Sequence, residues 1–305
     1  MDSINFTFLG DKSVVKNLGK KGTSTDITIY DRKDSNIIRT WTSPTSFPEK
    51  IQTLFQAINM GEQIIFYVTK LDKFTGKQII ALDILGKKQG LLCHSYDVDR
   101  EKLVSMVKGT AVENYKLVEI SDLEKEIESI KPLTNDGAVK ITIDHCFDAK
   151  GVGTVVLGRV NRGKVTTYDN LKILPKNVDI VIKSIQMQDD TVEEARSPAR
   201  VGLSIKGVSP DDIQRGDIIS EQGSLIVSQE ITLNYIQNNY FKETLNEGQS
   251  LLINIGLQTR SAKIISINPM KLQIVKPVVF DKDDICVLLK PESQSMRIVG
   301  SGKIV

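Results

Sequence analysis

Two short stretches carry residue types that could do chemistry. The first is Gly10-Asp-Lys-Ser13, directly after the apolar run Ile4–Leu9. A glycine followed by Lys-Ser where a helix opens is the kind of pattern that holds phosphate. Backbone N–H groups wrap the anion, the lysine adds charge, and the hydroxyl reaches a metal. The second is the Cys93-His94 pair. Thiol and imidazole can form a nucleophile and its base, but neighbours along a strand point to opposite faces, so adjacency is the wrong geometry. The remaining cysteines, Cys146 and Cys286, are far apart and fit neither a disulfide framework nor a zinc spacing. No metal-ligand spacing and no serine triad stands out. The basic clusters Lys16–Lys21 and Lys87-Lys88 read as solvated surface, with RNA phosphate contact as the other reading.

These residues sit in a chain whose texture changes near residue 132. Before it, strand-like runs (Ile4–Leu9, Asn36–Trp41, Gln63–Thr69, Gly90–Cys93, Lys116–Glu119) alternate with helical patterns (Lys12–Leu18, Phe47–Asn59, Phe74–Leu85, Arg100–Lys108, Asp122–Ile130). Ser121, with Glu124 three residues on, is the expected cap of the last helix. The alternation implies a mostly parallel sheet covered on both faces over residues 1–131. Pro132-Leu-Thr-Asn-Asp-Gly137 reads as a linker. After it, short Val/Ile/Thr strands recur between turns, which implies two closed all-β domains over residues 137–221 and 224–305. The only helical candidate there is Ser209–Gln214, a short turn.

Composition bounds the function. The 305 residues carry 40 Lys plus Arg against 38 Asp plus Glu, a formal net charge of +2. Such a balance gives no bulk field for DNA, so any nucleic-acid contact must come from a local patch. The N-terminal residues lack the pattern of a secretory signal, and no apolar run is long enough to cross a bilayer. A reduced cytoplasmic setting, a monomer and no membrane partner are the expectations.

From Gly151 the pattern becomes specific. Gly151-Val-Gly-Thr-Val-Val-Leu-Gly-Arg-Val-Asn-Arg-Gly163 is followed by Val181–Met187, Arg200–Gly207 and Asp212–Ile219. Together these blocks resemble, in order and spacing, the second-domain β-barrel of translational GTPases of the elongation factor Tu type. Gly153 is expected to permit close backbone approach, Gly163 to close a hairpin, and Gly216 to turn the chain before an edge strand. The closing segment Met296–Ile304 resembles the selenocysteine-specific factor and initiation factor 2 gamma more than elongation factor Tu. The resemblance implies a GTPase-like α/β domain followed by two β-barrels.

It also implies GTP and Mg²⁺ in the first domain, and there the residues depart from the family. Gly10, Lys12 and Ser13 align with the phosphate loop, but most of the loop between the glycines is missing. The switch II Asp-x-x-Gly is replaced by Ser43-Pro-Thr-Ser46, and Phe47 falls where the family keeps its water-orienting histidine. The guanine-reading motif keeps only Asp97. The stretch before Asn36 is too short for a full switch I, with Thr23, Thr25 and Asp26 as remnants. A charge-assisted contact is worth about 1.5–3 kcal/mol, so losing four removes roughly 6–12 kcal/mol, or about 10⁴–10⁹ in affinity. The reading is a degenerate domain with no cofactor and no catalytic residue. A non-standard nucleotide site on Lys12, Ser13 and Asp97 is the alternative.

In the barrel, Ile143-Asp-His-Cys-Phe147 aligns with the segment that flanks the aminoacyl end of tRNA in the family. Asp144, His145, Phe147 and Arg200 are the candidate pocket. Selenocysteine-specific factors resemble Ile-Asp-Arg-x-Phe there, with a second arginine at the place of Arg200, which suits an anionic selenolate. His145 replaces the first arginine. The resemblance implies tRNA or the ribosome as partner; inherited but unused geometry is the alternative, as is a protein-binding or regulatory scaffold.

Overall fold

A strand buried on both sides must be covered on both sides, and β1 (Asp2–Leu9) is such a strand: every residue after Asp2 is buried, Ile4, Phe6 and Phe8 on one face and Ser3, Asn5 and Thr7 on the other. It lies at the centre of the first of two units into which a computed structural model, describing all residues from Met1 to Val305, divides: Met1–Pro132 and Leu133–Val305.

In the first unit β1 is followed by α1 (Lys12–Leu18), β2 (Lys20–Ser24), β3 (Ile27–Asp34), β4 (Ile37–Pro44), α2 (Ile51–Met60), β5 (Gln63–Val68), α3 (Lys73–Ile84), β6 (Gly90–His94), α4 (Arg100–Val107), β7 (Lys116–Leu117) and α5 (Leu123–Ser129). The seven strands lie in the order β2-β3-β4-β1-β5-β6-β7. From β4 to β7 neighbours run parallel, while β2, β3 and β4 form an antiparallel meander. The parallel core is the expected one. The meander was not expected, because β2 is Lys-Lys-Gly-Thr-Ser, an exposed polar edge with no apolar alternation.

Local chemistry explains the helix limits. Asp72 caps α3 by accepting from the N–H groups of Phe74 and Thr75, and Asp99 caps α4 by accepting from Lys102 N–H. Helix α2 starts at Ile51 rather than Phe47, since a residue before proline is pushed out of the helical region and Pro48 follows Phe47. Ser121 does not cap α5. It lies inside a single 3₁₀ turn (Ile120–Asp122), Asp122 stands at the cap, and no side chain bonds there.

The second unit is all β. Its first barrel uses β8 (Lys140–Ala149), β9 (Gly153–Arg162), β10 (Lys164–Thr166), β11 (Asn170–Leu174), β12 (Val178–Met187), β13 (Asp190–Val192), β14 (Glu194–Arg196), β15 (Arg200–Lys206) and β16 (Ile218–Ser220). Strands β11-β16-β8-β9-β15-β12 close on themselves through the β11–β12 pairing, with β13 on the flank of β12 and β10–β14 as a separate ribbon. The alternation of each strand sends Ile141, Ile143, Val156, Val160, Ile182, Ile185 and Leu203 inward, all at most 1% exposed. The segment Ser209–Gln214 holds only a 3₁₀ turn, Pro210–Asp212. The second barrel is β17 (Ile226–Gln237), β18 (Ser250–Ile255), β19 (Gln258–Ile267), β20 (Met270–Phe280), β21 (Ile285–Leu289) and β22 (Ile298–Ile304), closed in the order β17-β20-β19-β18-β21-β22.

The barrels are docked. Lys140 reaches Asp281 at 2.7 Å and Asp284 at 3.3 Å, and Arg162 reaches Asp281 at 3.2 Å. Leu174, Ile218 and Val279 bury one another beside them. Gly216 works differently from expectation. Strand β16 after it is internal, between β11 and β8, not an edge. The glycine is needed because φ is +92° and a Cβ would come within 2.8 Å of the Gln258 N at the start of β19. At Gly153 φ is +91° but the space beside it is open, so turn geometry and not close approach calls for glycine there.

Candidate functional site

The carboxyl ends of parallel strands are where an α/β sheet binds ligands. In the first unit this edge gathers the end of β1, the end of β4 and the end of β6. Strand β1 stops at Leu9 and α1 opens at Lys12, so Gly10 and Asp11 are the whole connection. A Cβ on Gly10 would lie 2.3 Å from the Tyr67 carbonyl oxygen, so β5 closes directly over this turn. The Asp11 carboxylate accepts a hydrogen bond from Ser13 N–H at 2.8 Å and caps α1. That bond holds the Asp11 carboxyl below its ordinary value of 3.8, with smaller help from the Ser13 side chain and Lys16. Lys12 donates to the carbonyl of Thr45 at 3.2 Å, and Ser13 is exposed. Asp97 is exposed beyond the end of β6, two strands from β1. The structure thus groups Gly10, Lys12 and Ser13 and sets Asp97 apart on the same edge. Phe47 packs edge-on against Phe74 of α3, ring centroids 6.3 Å apart.

In the second unit Asp144, His145, Phe147 and Arg200 come together on the outer face of β8-β9-β15. Asp144 is the extra residue of a bulge: Ile143 pairs with Gly158 and His145 with Leu157, leaving Asp144 between them. Arg200 opens β15 on the other side of β9. Both Arg200 amino groups donate to the Asp144 carboxylate, Nη1 to Oδ2 and Nη2 to Oδ1 at 3.1 Å. The side chains are only 13% and 6% exposed, so this is a buried bidentate pair. Arg215 adds a bond from Nε to the Asp144 carbonyl at 3.2 Å. His145 and Phe147, two apart on the strand, face the same way with ring centroids 6.0 Å apart.

Strand register brings in residues that sequence reasoning missed. Arg159 stands opposite Arg200, and Leu157 lies opposite both His145 and Gly202. A Cβ on Gly202 would touch Leu157 at 3.4 Å and the Gln186 side chain at 4.0 Å, so the glycine leaves a dimple between them. The odd-numbered residues of β9 could have signalled this, since Val155, Leu157 and Arg159 alternate with buried Val156, Gly158 and Val160. The face offers aromatic and aliphatic contact from His145, Phe147 and Leu157. Beside it stands Arg200, an arginine whose charge is already matched.

Residues 153–220 match the family Elongation factor Tu domain 2. An uncharacterized protein of Methanocaldococcus jannaschii is 35% identical over 96% of this chain and 96% of its own length. The selenocysteine-specific elongation factor of the same organism is 31% identical over 70% of this chain and 49% of its own. The chain belongs to the translational GTPase family, close to its selenocysteine-specific branch. The fold agrees. The crystal structure of translation elongation factor SelB from Methanococcus maripaludis, in complex with the GTP analogue GppNHp, superposes with a TM-score of 0.84 at 21% identity, covering 100% of this chain and 79% of that one. The chain spans about half the length of the curated selenocysteine-specific factor it matches.

Family membership implies guanine nucleotide with Mg²⁺ at the end of β1, and the residues there do not fit it. A phosphate cradle needs several consecutive backbone N–H groups open to the anion. Here the connection has no room for such a loop, and a carboxylate already occupies the end of α1. An anion placed against the Ser13 N–H would have to displace that carboxylate and would be repelled by its charge. No helix in the chain is long and apolar enough to cross a membrane.

Proposed function

We propose that this chain is a translation-factor-like pseudo-GTPase, a cytoplasmic binding protein that engages tRNA or the ribosome through its barrels without turning over GTP. The observation that carries the reading is the two-residue connection Gly10-Asp11 with its carboxylate cap on α1, in a chain whose residues 153–220 still match the family's second domain. The contact for an aminoacyl end is assigned to the outer face around Asp144, His145, Phe147 and Arg200. Asp144 and Arg200 keep the aspartate and second arginine of the pattern that the selenocysteine-specific factors resemble, but His145 stands where they carry their first arginine, so this face offers one fixed positive charge fewer to an anionic selenolate.

Two measurements test this. Titration of a fluorescent GTP analogue is expected to show no saturable binding. A dissociation constant below about 10 μM would favour a residual GTP-binding elongation factor instead. Sequencing the RNA that co-purifies with the protein is expected to return tRNA or ribosomal RNA above background. No enrichment would favour a protein-binding scaffold.

A further inference from the structure

The segments that align with the two nucleotide-sensing switches lie side by side in this chain. The β2–β3 turn holds Thr25 and Asp26, and the segment after β4 holds Thr45 and Ser46. Because β3 and β4 pair along their whole length, with Ile27 opposite Pro44 and Thr28 opposite Ser43, the start of one and the end of the other must be neighbours. In GTP-binding switch proteins such segments are ordered by the γ-phosphate and its Mg²⁺ and released on hydrolysis. Here the chain's own backbone and side chains tie them. Ser46 N–H donates to the Asp26 carbonyl at 3.0 Å, and Ser46 Oγ donates to Asp26 Oδ1 at 3.2 Å. Lys50 Nζ reaches both Asp26 oxygens at 3.0 and 3.2 Å. Thr28 and Thr45 hydroxyls are 2.5 Å apart, and Lys12 Nζ holds the Thr45 carbonyl at 3.2 Å.

We infer that this clasp, centred on Asp26, Ser46 and Lys50, holds the former switch segments in one arrangement that no nucleotide is needed to form. The inference deepens the proposed function and rests on it in one respect: it supplies the reason that binding through the barrels would not depend on GTP. Each contact is modest, since Lys50 is 53% and Asp26 39% exposed. Their strength lies in acting at one point, where the lysine at the end of the phosphate-loop remnant, the β2–β3 turn and the start of α2 meet. Asp26 also explains itself here. As a remnant of switch I it has no evident task, but as a partner for Ser46 and Lys50 it has one.

Hydrogen exchange of the whole protein followed by mass spectrometry tests the clasp. In the parent, amides of residues 24–28 and 45–50 are expected to be protected, equally without nucleotide, with GDP and with a GTP analogue. Asp26→Lys is expected to speed exchange in these two segments by about threefold to tenfold, with β5 and β6 unchanged. Adding Lys50→Asp to Asp26→Lys, which restores opposite charges, is expected to bring protection back. Unprotected parent amides in both segments, or a double variant that exchanges as fast as the single, would overturn the clasp. GTP binding that leaves protection unaltered would overturn the functional reading and leave the clasp standing. Binding that alters protection would overturn both.

Discussion

Arg200 and Asp144 meet across β9, guanidinium fork on carboxylate, with hardly any of either side chain open to water. A buried pair of this kind is costly to break from one side, because the group left behind is a charge without a partner. Asp144→Ala or Arg200→Ala is expected to cost about 3–5 kcal/mol in urea unfolding. Replacing both residues together with Asn and Met should cost much less than the sum, since no orphan charge remains. If the single variants unfold at the parent midpoint, the pair is not formed in solution.

The cap at Asp11 makes a second expectation. Asp11→Ala should lower stability by about 1 kcal/mol, the usual worth of such a cap. The carboxyl is held below its ordinary value of 3.8, so the contribution is complete well above 3.8, from about pH 5, and is lost as pH falls through 3.8 and then through the lowered value. Parent and variant stability curves should therefore converge on acidification from about pH 5 downward. Curves that stay parallel to pH 2 would contradict the cap.

Asp281 ties the barrels. Burial works to raise its carboxyl, but hydrogen bonds and charge from Lys140, then Arg162, outweigh it and leave the value lowered. Asp281→Ala should destabilise the two-barrel unit by about 1–2 kcal/mol. The sign is the same as for Asp11: the contribution is present above the ordinary 3.8 and disappears on acidification. Calorimetry should show the loss at neutral pH, and a thermal midpoint equal to the parent's would count against the bridge.

The three thiols should differ. Cys93 and Cys286 are fully buried, and burial raises both, Cys93 to about 12. Cys146 is half-buried and donates to the Pro210 and Ile213 carbonyls. Its thiol is also raised, by burial and then by Asp217 and Asp211. A thiol reagent at pH 8 should label Cys146 slowly and the other two only after unfolding. Rapid native labelling of Cys93 would mean that the sheet around β6 opens.

Much of this was legible in residue order. The parallel core is legible because β5 and β6 carry continuous apolar runs and β1 alternates Ile4, Phe6 and Phe8 with small polar residues, all of them followed by helical patterns. Helix α1 was found to the residue. The β2–β3 hairpin was hidden because its edge strand is charged and its burial pattern carries no period. The start of α2 was misplaced because Phe47 fits the helical spacing while Pro48 forbids it. At the barrel face, Asp144 and Arg200 were found only through kinship, 56 residues apart in sequence. Their bidentate contact depends on a bulge, which no period reveals. Arg159, Leu157 and Gly202 join them through the register of three strands, a property of pairing rather than of any one segment.

The carboxylate at the end of α1 carries one more consequence. An anion supplied by the chain itself is never hydrolysed and never exchanged. On the proposed function, a protein built this way would keep no clock: the ratio of GTP to GDP would leave no mark on it, and the lifetime of its complexes would be set by dissociation.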